Sequence, residues 1–237
     1  EGTWSSVEPA PTAMTWIDLD RFFARPGELF SLLDAPGGPE VSHLADLDVG
    51  IPVALIADLS LPQPLHLVVV GTGGIQAFFF DGEGWEPVEV PLFSPGRVPL
   101  AGARAARADP DGGFVVAADG GAYRLVDGEF GPEWRVYVPE RWMPDGDVRD
   151  VMAIEMAIGD DDHGELWFAT AKGPGWVTRT AWTLSEKTGP MIQRIVERHD
   201  RDGAVADSHL LTPGDLSTNV PYDSDNDGGW TCYWVLA

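Results

Sequence analysis

The residues best equipped for chemistry in this chain are acidic, and they come in short runs. Asp223, Asp225 and Asp227 alternate ahead of Gly228 in D-S-D-N-D-G. Alternate carboxylates can turn toward one cation while glycine permits the tight bend, which is how oxygen-ligand calcium loops begin. An EF-hand would need glutamate at the twelfth position, and Trp234 stands there. A shorter D-x-D-x-D-G loop would continue to a ninth-position aspartate; here that position is Thr231. The metal expectation is therefore calcium on Asp223, Asp225 and Asp227 with an incomplete shell, set against an acidic turn before a strand.

A second run, Asp160, Asp161, Asp162 and His163, places three carboxylates beside an imidazole. It is a candidate for binding a ligand or divalent cation, or for acid–base work. The competing reading is a solvated turn between strands. Asp200, Asp202 and Asp207 with His199 and His209 fall in an irregular stretch, and Ser208 beside His209 has no Gly-x-Ser-x-Gly elbow to make it a nucleophile. Gly71 to Gly74 reads as a turn, because no helix follows to cradle a phosphate. Of the ten tryptophans, Trp85, Trp134, Trp167 and Trp230 fall at repeat-related or strand positions and read as packing. Trp176 is among those less constrained, and joins the candidate ligand residues as an aromatic that could stack on a sugar or anchor a protein.

Composition narrows the partners. With 38 acidic and 15 basic residues the formal charge is −23. Such a chain offers no basic patch to release counterions from nucleic acid. No apolar run reaches the ~18 residues of a membrane span. A protein, a glycan or a cation remains as a ligand. The single cysteine, Cys232, excludes an intrachain disulfide. The sequence starts at Glu1 rather than methionine, which fits a cleaved export signal or a trimmed chain. Export to a periplasmic or extracellular compartment is the expectation.

These residues are positioned by repeats. LHLVVVGTGGIQAFFFDGEGWEPVEV (65–90) overlays GFVVAADGGAYRLVDGEFGPEWRVYV (113–138), and GELWFATAKGPGWVTRTAWTL (164–184) makes a third copy. GELFSLLDAPGG (27–38) matches 164–175, and DNDGGW (225–230) matches DPDGGF (109–114). Five anchor strands are expected near Leu29, Leu67, Phe114, Leu166 and Trp230. Upstream apolar segments at 12–19, 51–59, 101–108 and 151–159 supply a strand before each of the first four. EPVEVPLF, EWRVYVP and MIQRIVER supply a fourth strand in the middle copies. LVVV, FVVAA and LWFAT are apolar on both faces, so their sheets need cover on both sides. Radially stacked antiparallel sheets meet that need at this repeat length.

The expected fold is all-β: one β-propeller over residues 1–237, of five blades, closed by pairing of the N- and C-terminal segments, with an inserted loop at 199–222. A truncated six-bladed ring and a β-sandwich are the alternatives. DPDGGFVVAADGGAYRLVDGEF (109–130) and DDDHGELWFATAKGPG (160–175) resemble the propeller repeats of bacterial two-component sensor ectodomains. That resemblance implies a fold and no chemistry. The functional expectation is non-catalytic recognition of a protein or glycan through loops at one propeller face. The rivals are a metal-assisted hydrolase or lyase at the central pore, and a sugar-binding lectin with repeated pockets.

Overall fold

The computed structural model describes residues 12–17, 20–35, 38–59, 65–81, 83–93, 102–128, 131–139, 142–158, 161–180, 183–202, 204–212 and 215–222. Within them the chain is predominantly β-structure in antiparallel sheets, with one α-helix. Sheet 1 holds β1 (Ala13–Ile17), β2 (Asp20–Arg25), β3 (Glu28–Ala35) and β4 (Gly38–Asp46). Sheet 2 holds β5 (Pro52–Leu59), β6 (Leu65–Gly71), β7 (Gly74–Phe80) and β8 (Trp85–Val88). Sheet 3 holds β9 (Ala105–Ala108), β10 (Phe114–Ala118), β11 (Gly121–Gly128) and β12 (Gly131–Tyr137). Sheet 4 has three strands: β13 (Val148–Ile158), β14 (Asp161–Thr170) and β15 (Gly173–Thr180). Every sheet is a meander in chain order.

The sheets stack through three apolar interfaces. Phe22, Ala24 and Leu29 of sheet 1 meet Leu55, Leu67, Val69 and Phe78 of sheet 2. From the opposite face of sheet 2, Ile56, Val68, Val70 and Ala77 meet Ala106, Phe114, Val116 and Leu125 of sheet 3. Ala105, Val115 and Ala117 then meet Val151, Leu166 and Phe168 of sheet 4. The doubly apolar strands are explained: consecutive residues of β6 point into two different interfaces, and Val68, Val69 and Val70 are all fully buried. First strands adjoin one another along the stack, β1 with β5, β5 with β9 and β9 with β13. The result is a β-propeller-like succession of four sheets.

Three expectations require correction. Leu29 is not on the second strand of its sheet; β2 intervenes, and Leu29 lies on the third. GELF copies the composition of GELW, but Gly27 at φ 84° closes the tight β2–β3 turn, a backbone state that favours glycine. MIQRIVER is not a fourth strand. It belongs to α1 (Leu184–His199), whose N-terminus carries a capping box between Thr183 and Glu186. Pro190 sits inside the helix and simply forgoes one hydrogen bond. Finally, 199–222 is not an irregular insertion. Beyond the end of α1 it folds as two small hairpins, β16 (Asp200–Arg201) with β17 (Ala204–Val205), and β18 (Asp207–Leu210) with β19 (Asn219–Tyr222). The principal contacts of α1 are with these hairpins. The proposed outer strand in 1–11 and the anchor at Trp230 lie outside the described residues.

Candidate functional site

Where β9 turns into β10, the sequence D-P-D-G-G does more than reverse the chain. Asp109 is buried with its side chain fully out of solvent, and Arg124 on β11 is equally enclosed at 3% side-chain exposure. Arg124 donates from both Nε and Nη2 to Asp109, the latter at 3.1 Å, and the Asp111 backbone N–H donates to Asp109 Oδ1 at 3.0 Å. Arg124 also reaches Asp111, and Arg179 of β15 joins Asp111 from the neighbouring sheet. Burial opposes ionisation of Asp111, but hydrogen bonds and charge from Arg179, then Arg124, outweigh it and hold the carboxyl below its ordinary value. For Arg124, burial acts against the charge, and Asp109 more than restores it. Two carboxylates are thus matched to two guanidiniums. This cluster fastens sheet 3 to sheet 4.

Arg179 explains one glycine. Its guanidinium lies across Gly164, the residue opposite it on β14, so that a Cβ there would overlap the Arg179 head group. Nε and Nη2 of Arg179 are buried without a hydrogen-bond partner.

The same end of sheet 4 carries the D-D-D-H run. Asp161, Asp162 and His163 are not a turn; they are the first residues of β14. His163 pairs with Met156 on one side and Thr180, the last residue of β15, on the other. Beyond the last described pair with β15, the β13–β14 ladder continues through Ala157↔Asp162 and Ile158↔Asp161, about 7 Å further, an arm with aspartates along one strand. Asp160 lies outside the described residues, as do the side chains of Asp161, Asp162 and His163. Asp223, Asp225 and Asp227 also lie outside them. Among the described residues no group of three His, Cys, Asp or Glu side chains is placed to hold a metal ion.

Trp176 is not beside the arm's tip. It stands on β15 opposite Trp167, which stands opposite Met152 on β13. The indoles stack with centroids 5.4 Å apart and planes 22° apart, and Trp167 donates to Glu165 at 2.8 Å. Trp176 is 57% exposed and Met152 50%. The remaining repeat tryptophans within the described residues pack as expected: Trp85 meets Phe22 of sheet 1 edge-on, and Trp134 meets Phe114 while donating to the Leu92 carbonyl at 3.1 Å.

A cavity of about 470 Å³ runs beside the first strands, lined by residues including Thr12, Met14, Thr15, Val53, Leu55 and Arg107. Arg107 is the one charged residue among its lining, and bonds to Asp150 of β13 at 3.2 Å. His199 Nδ1 lies 3.0 Å from the Ala206 carbonyl oxygen and 3.4 Å from Ser208 Oγ. Donation to the carbonyl makes that nitrogen a donor, which leaves it unable to accept the serine proton.

Sequence reasoning missed the four-charge cluster. The one signal was Arg124, a charged residue within an otherwise apolar strand, AYRLV.

No protein-family profile and no curated protein matches the chain. Among solved structures, a complex of the fission yeast SREBP–SCAP binding domains is similar with a TM-score of 0.42 and 12% identity over 71% of this chain and 48% of that one. The chain thus spans about half the length of that protein. The hemopexin fold protein CP4 from cow pea is similar with a TM-score of 0.36 and 8% identity, over 73% of this chain and 93% of that one. At these scores the functional reading rests on this chain's own residues.

Proposed function

We propose that this chain is a non-catalytic recognition module that engages a protein partner at the end of the sheet stack that holds the start of β14. The observation that carries this reading is the acidic run at the start of β14, where Asp161 and Asp162 pair with Ile158 and Ala157 of β13 beyond the last described pair with β15. Asp109 and Asp111, at the same end, are already matched by arginines. In a chain of charge −23, such an arm suits a basic or arginine-bearing protein surface, with attraction that salt weakens. His163, at the base of the arm, belongs to the same candidate site.

The fold reading that accompanies it is a five-bladed propeller, its fifth blade assembled from the N- and C-terminal segments. Support comes from the four successive sheets with adjoining first strands and from the fifth sequence repeat at 225–230. The likeness of 109–130 and 160–175 to sensor propeller repeats belongs to the same proposal and assigns no chemistry.

The test is binding of a deca-arginine peptide at stepped NaCl concentrations by the whole chain. Asp161→Asn/Asp162→Asn is expected to weaken binding several-fold at low salt, since surface charge pairs contribute about 0.2–1 kcal/mol each. Glu40→Gln/Glu83→Gln, the same charge change at exposed residues of sheets 1 and 2, is expected to weaken it less. Equal losses in the two variants would reduce the effect to net charge and remove the arm from the reading.

A further inference from the structure

Sheets 1, 2 and 3 each hold four strands, and sheet 4 holds three. In sheet 3 the fourth strand, β12, begins three residues after β11 ends. At the same distance beyond β15 stands Thr183, the cap of α1, so the chain leaves the sheet instead of adding to it. The outer edge of β15 has no partner strand among the described residues.

Hairpin register tells which backbone groups lie on that edge. Thr170 and Gly173 close a two-residue turn, and the residues flanking such a turn exchange both backbone hydrogen bonds. By alternation Gly173, Gly175, Val177 and Arg179 bond inward to β14, while Pro174, Trp176 and Thr178 direct their backbone groups outward. All three outward residues are exposed. In sheet 3 the same positions are Ala122, Arg124 and Val126, and β12 supplies Tyr137, Arg135 and Glu133 opposite them. Proline has no N–H and would break a ladder inside a sheet; at 174 it gives up only an outward donor, which edge strands tolerate. Trp176 and Thr178 keep their N–H groups on the edge.

We infer that the outer edge of β15 takes up an extended, arginine-bearing segment of a partner protein as a fourth, antiparallel strand. Main-chain hydrogen bonds supply the docking, and the side chains beside the edge select the charge. A residue paired directly with Trp176 has its side chain on the same face as that indole. Trp176 is 57% exposed and stacks on Trp167, so the indole face turned away from Trp167 is open to a guanidinium. Glu165 lies on the same face of β14 as Trp167, opposite Thr178. It accepts from the Trp167 indole N–H and pairs with no basic side chain among the described residues. Two strand spacings, about 10 Å, separate Glu165 from a residue opposite Thr178. An arginine side chain spans that gap across the small threonine to meet the carboxylate. Edge pairing requires neither the acidic run at the start of β14 nor a fifth blade.

The experiment titrates the whole chain with acetyl-Arg-Val-Arg-Val-Arg-Val-Arg-amide and with two isomers of equal charge, methylated on the backbone nitrogens of either the arginines or the valines. In the antiparallel pairing, residues whose side chains share the Trp176 face are also those whose N–H groups meet β15. Methylation at the arginines is therefore expected to lower affinity roughly tenfold or more, through the loss of two hydrogen bonds. Methylation at the valines is expected to change it less than about twofold, since those nitrogens face away from β15. Thr178→Pro, which removes an edge N–H and leaves the β14 ladder whole, is expected to weaken the unmethylated peptide several-fold. Trp176→Leu is expected to weaken it roughly two- to fivefold. Absence of binding, equal affinities for the two isomers, or unchanged binding in either variant would overturn the edge site. Stronger loss on methylation at the valines would put valine on Trp176 and overturn it as well. Asp161→Asn/Asp162→Asn is expected to leave the difference between the isomers intact, so this result and the deca-arginine result can fail separately.

Discussion

Removing the Asp109 carboxylate is the sharpest test of how the stack is held together. Asp109 accepts two hydrogen bonds from Arg124, both out of solvent, and a partly buried one from the Asp111 backbone. Asp109→Ala leaves a guanidinium of 3% side-chain exposure without its principal counter-ion. Breaking one partner of a buried pair costs about 3–5 kcal/mol, chiefly because the other charge remains buried. Here Arg124 keeps Asp111, which is half-exposed, so the lower end, about 3 kcal/mol, is expected. For a chain of this size that corresponds to a fall in melting temperature of roughly 6–12 °C. Urea unfolding followed by circular dichroism, with scanning calorimetry alongside, measures both quantities. The companion Asp109→Leu/Arg124→Met removes both charges together and should recover most of the loss, because well-packed apolar groups can replace a buried pair at little cost. A loss below about 1 kcal/mol in Asp109→Ala would refute the reasoning, since a loss that small is typical of an exposed pair. So would a double variant less stable than the single one.

Two further outcomes follow from the same geometry. Asp111 has its folded pKa depressed by Arg179 and Arg124 despite partial burial, so it contributes stability above its unfolded value, near 3.8. That contribution is lost as pH falls below about 4 and through the lower folded value, and Asp111→Asn should flatten the stability curve over this acid limb. Stability that falls equally steeply in the variant would exclude this carboxyl as a source. At α1, Thr183→Ala removes the cap that accepts from the Glu186 backbone, and should speed amide exchange in 184–188 roughly fivefold while leaving sheet 3 unchanged.

Much of the stack was legible in sequence because its signal is local. LVVV and FVVAA are apolar at consecutive positions, and only strands covered on both faces reward that pattern; the three apolar interfaces are its consequence. Gly-Gly turns between strands were equally local. Where competing local signals met, reading failed. MIQRIVER carries enough apolar residues for a strand, while the capping box at Thr183 and Glu186 starts a helix upstream of it. G-E-L-F at 27–30 carried the letters of an anchor repeat, and nothing within that stretch revealed the strand at 20–25 that shifts Leu29 one place outward.

The site divides along the same line. Sequence alone determined that Asp161 and Asp162 stand in an acidic run before an apolar strand, that DNDGGW repeats the pattern of DPDGGF, and that the chain carries a net charge of −23. Tertiary structure decided that the acids of the D-P-D turn are paired. Asp109 and Asp111 look as free as Asp161 in sequence, but Arg124 is 15 residues from Asp109 and Arg179 is 68 from Asp111. Those arginines meet the carboxylates only when β11 folds beside β10 and sheet 4 stacks on sheet 3. Charge at the D-P-D turn is thereby neutralised. That pairing depends on contacts between strands and sheets, which no short stretch of sequence contains.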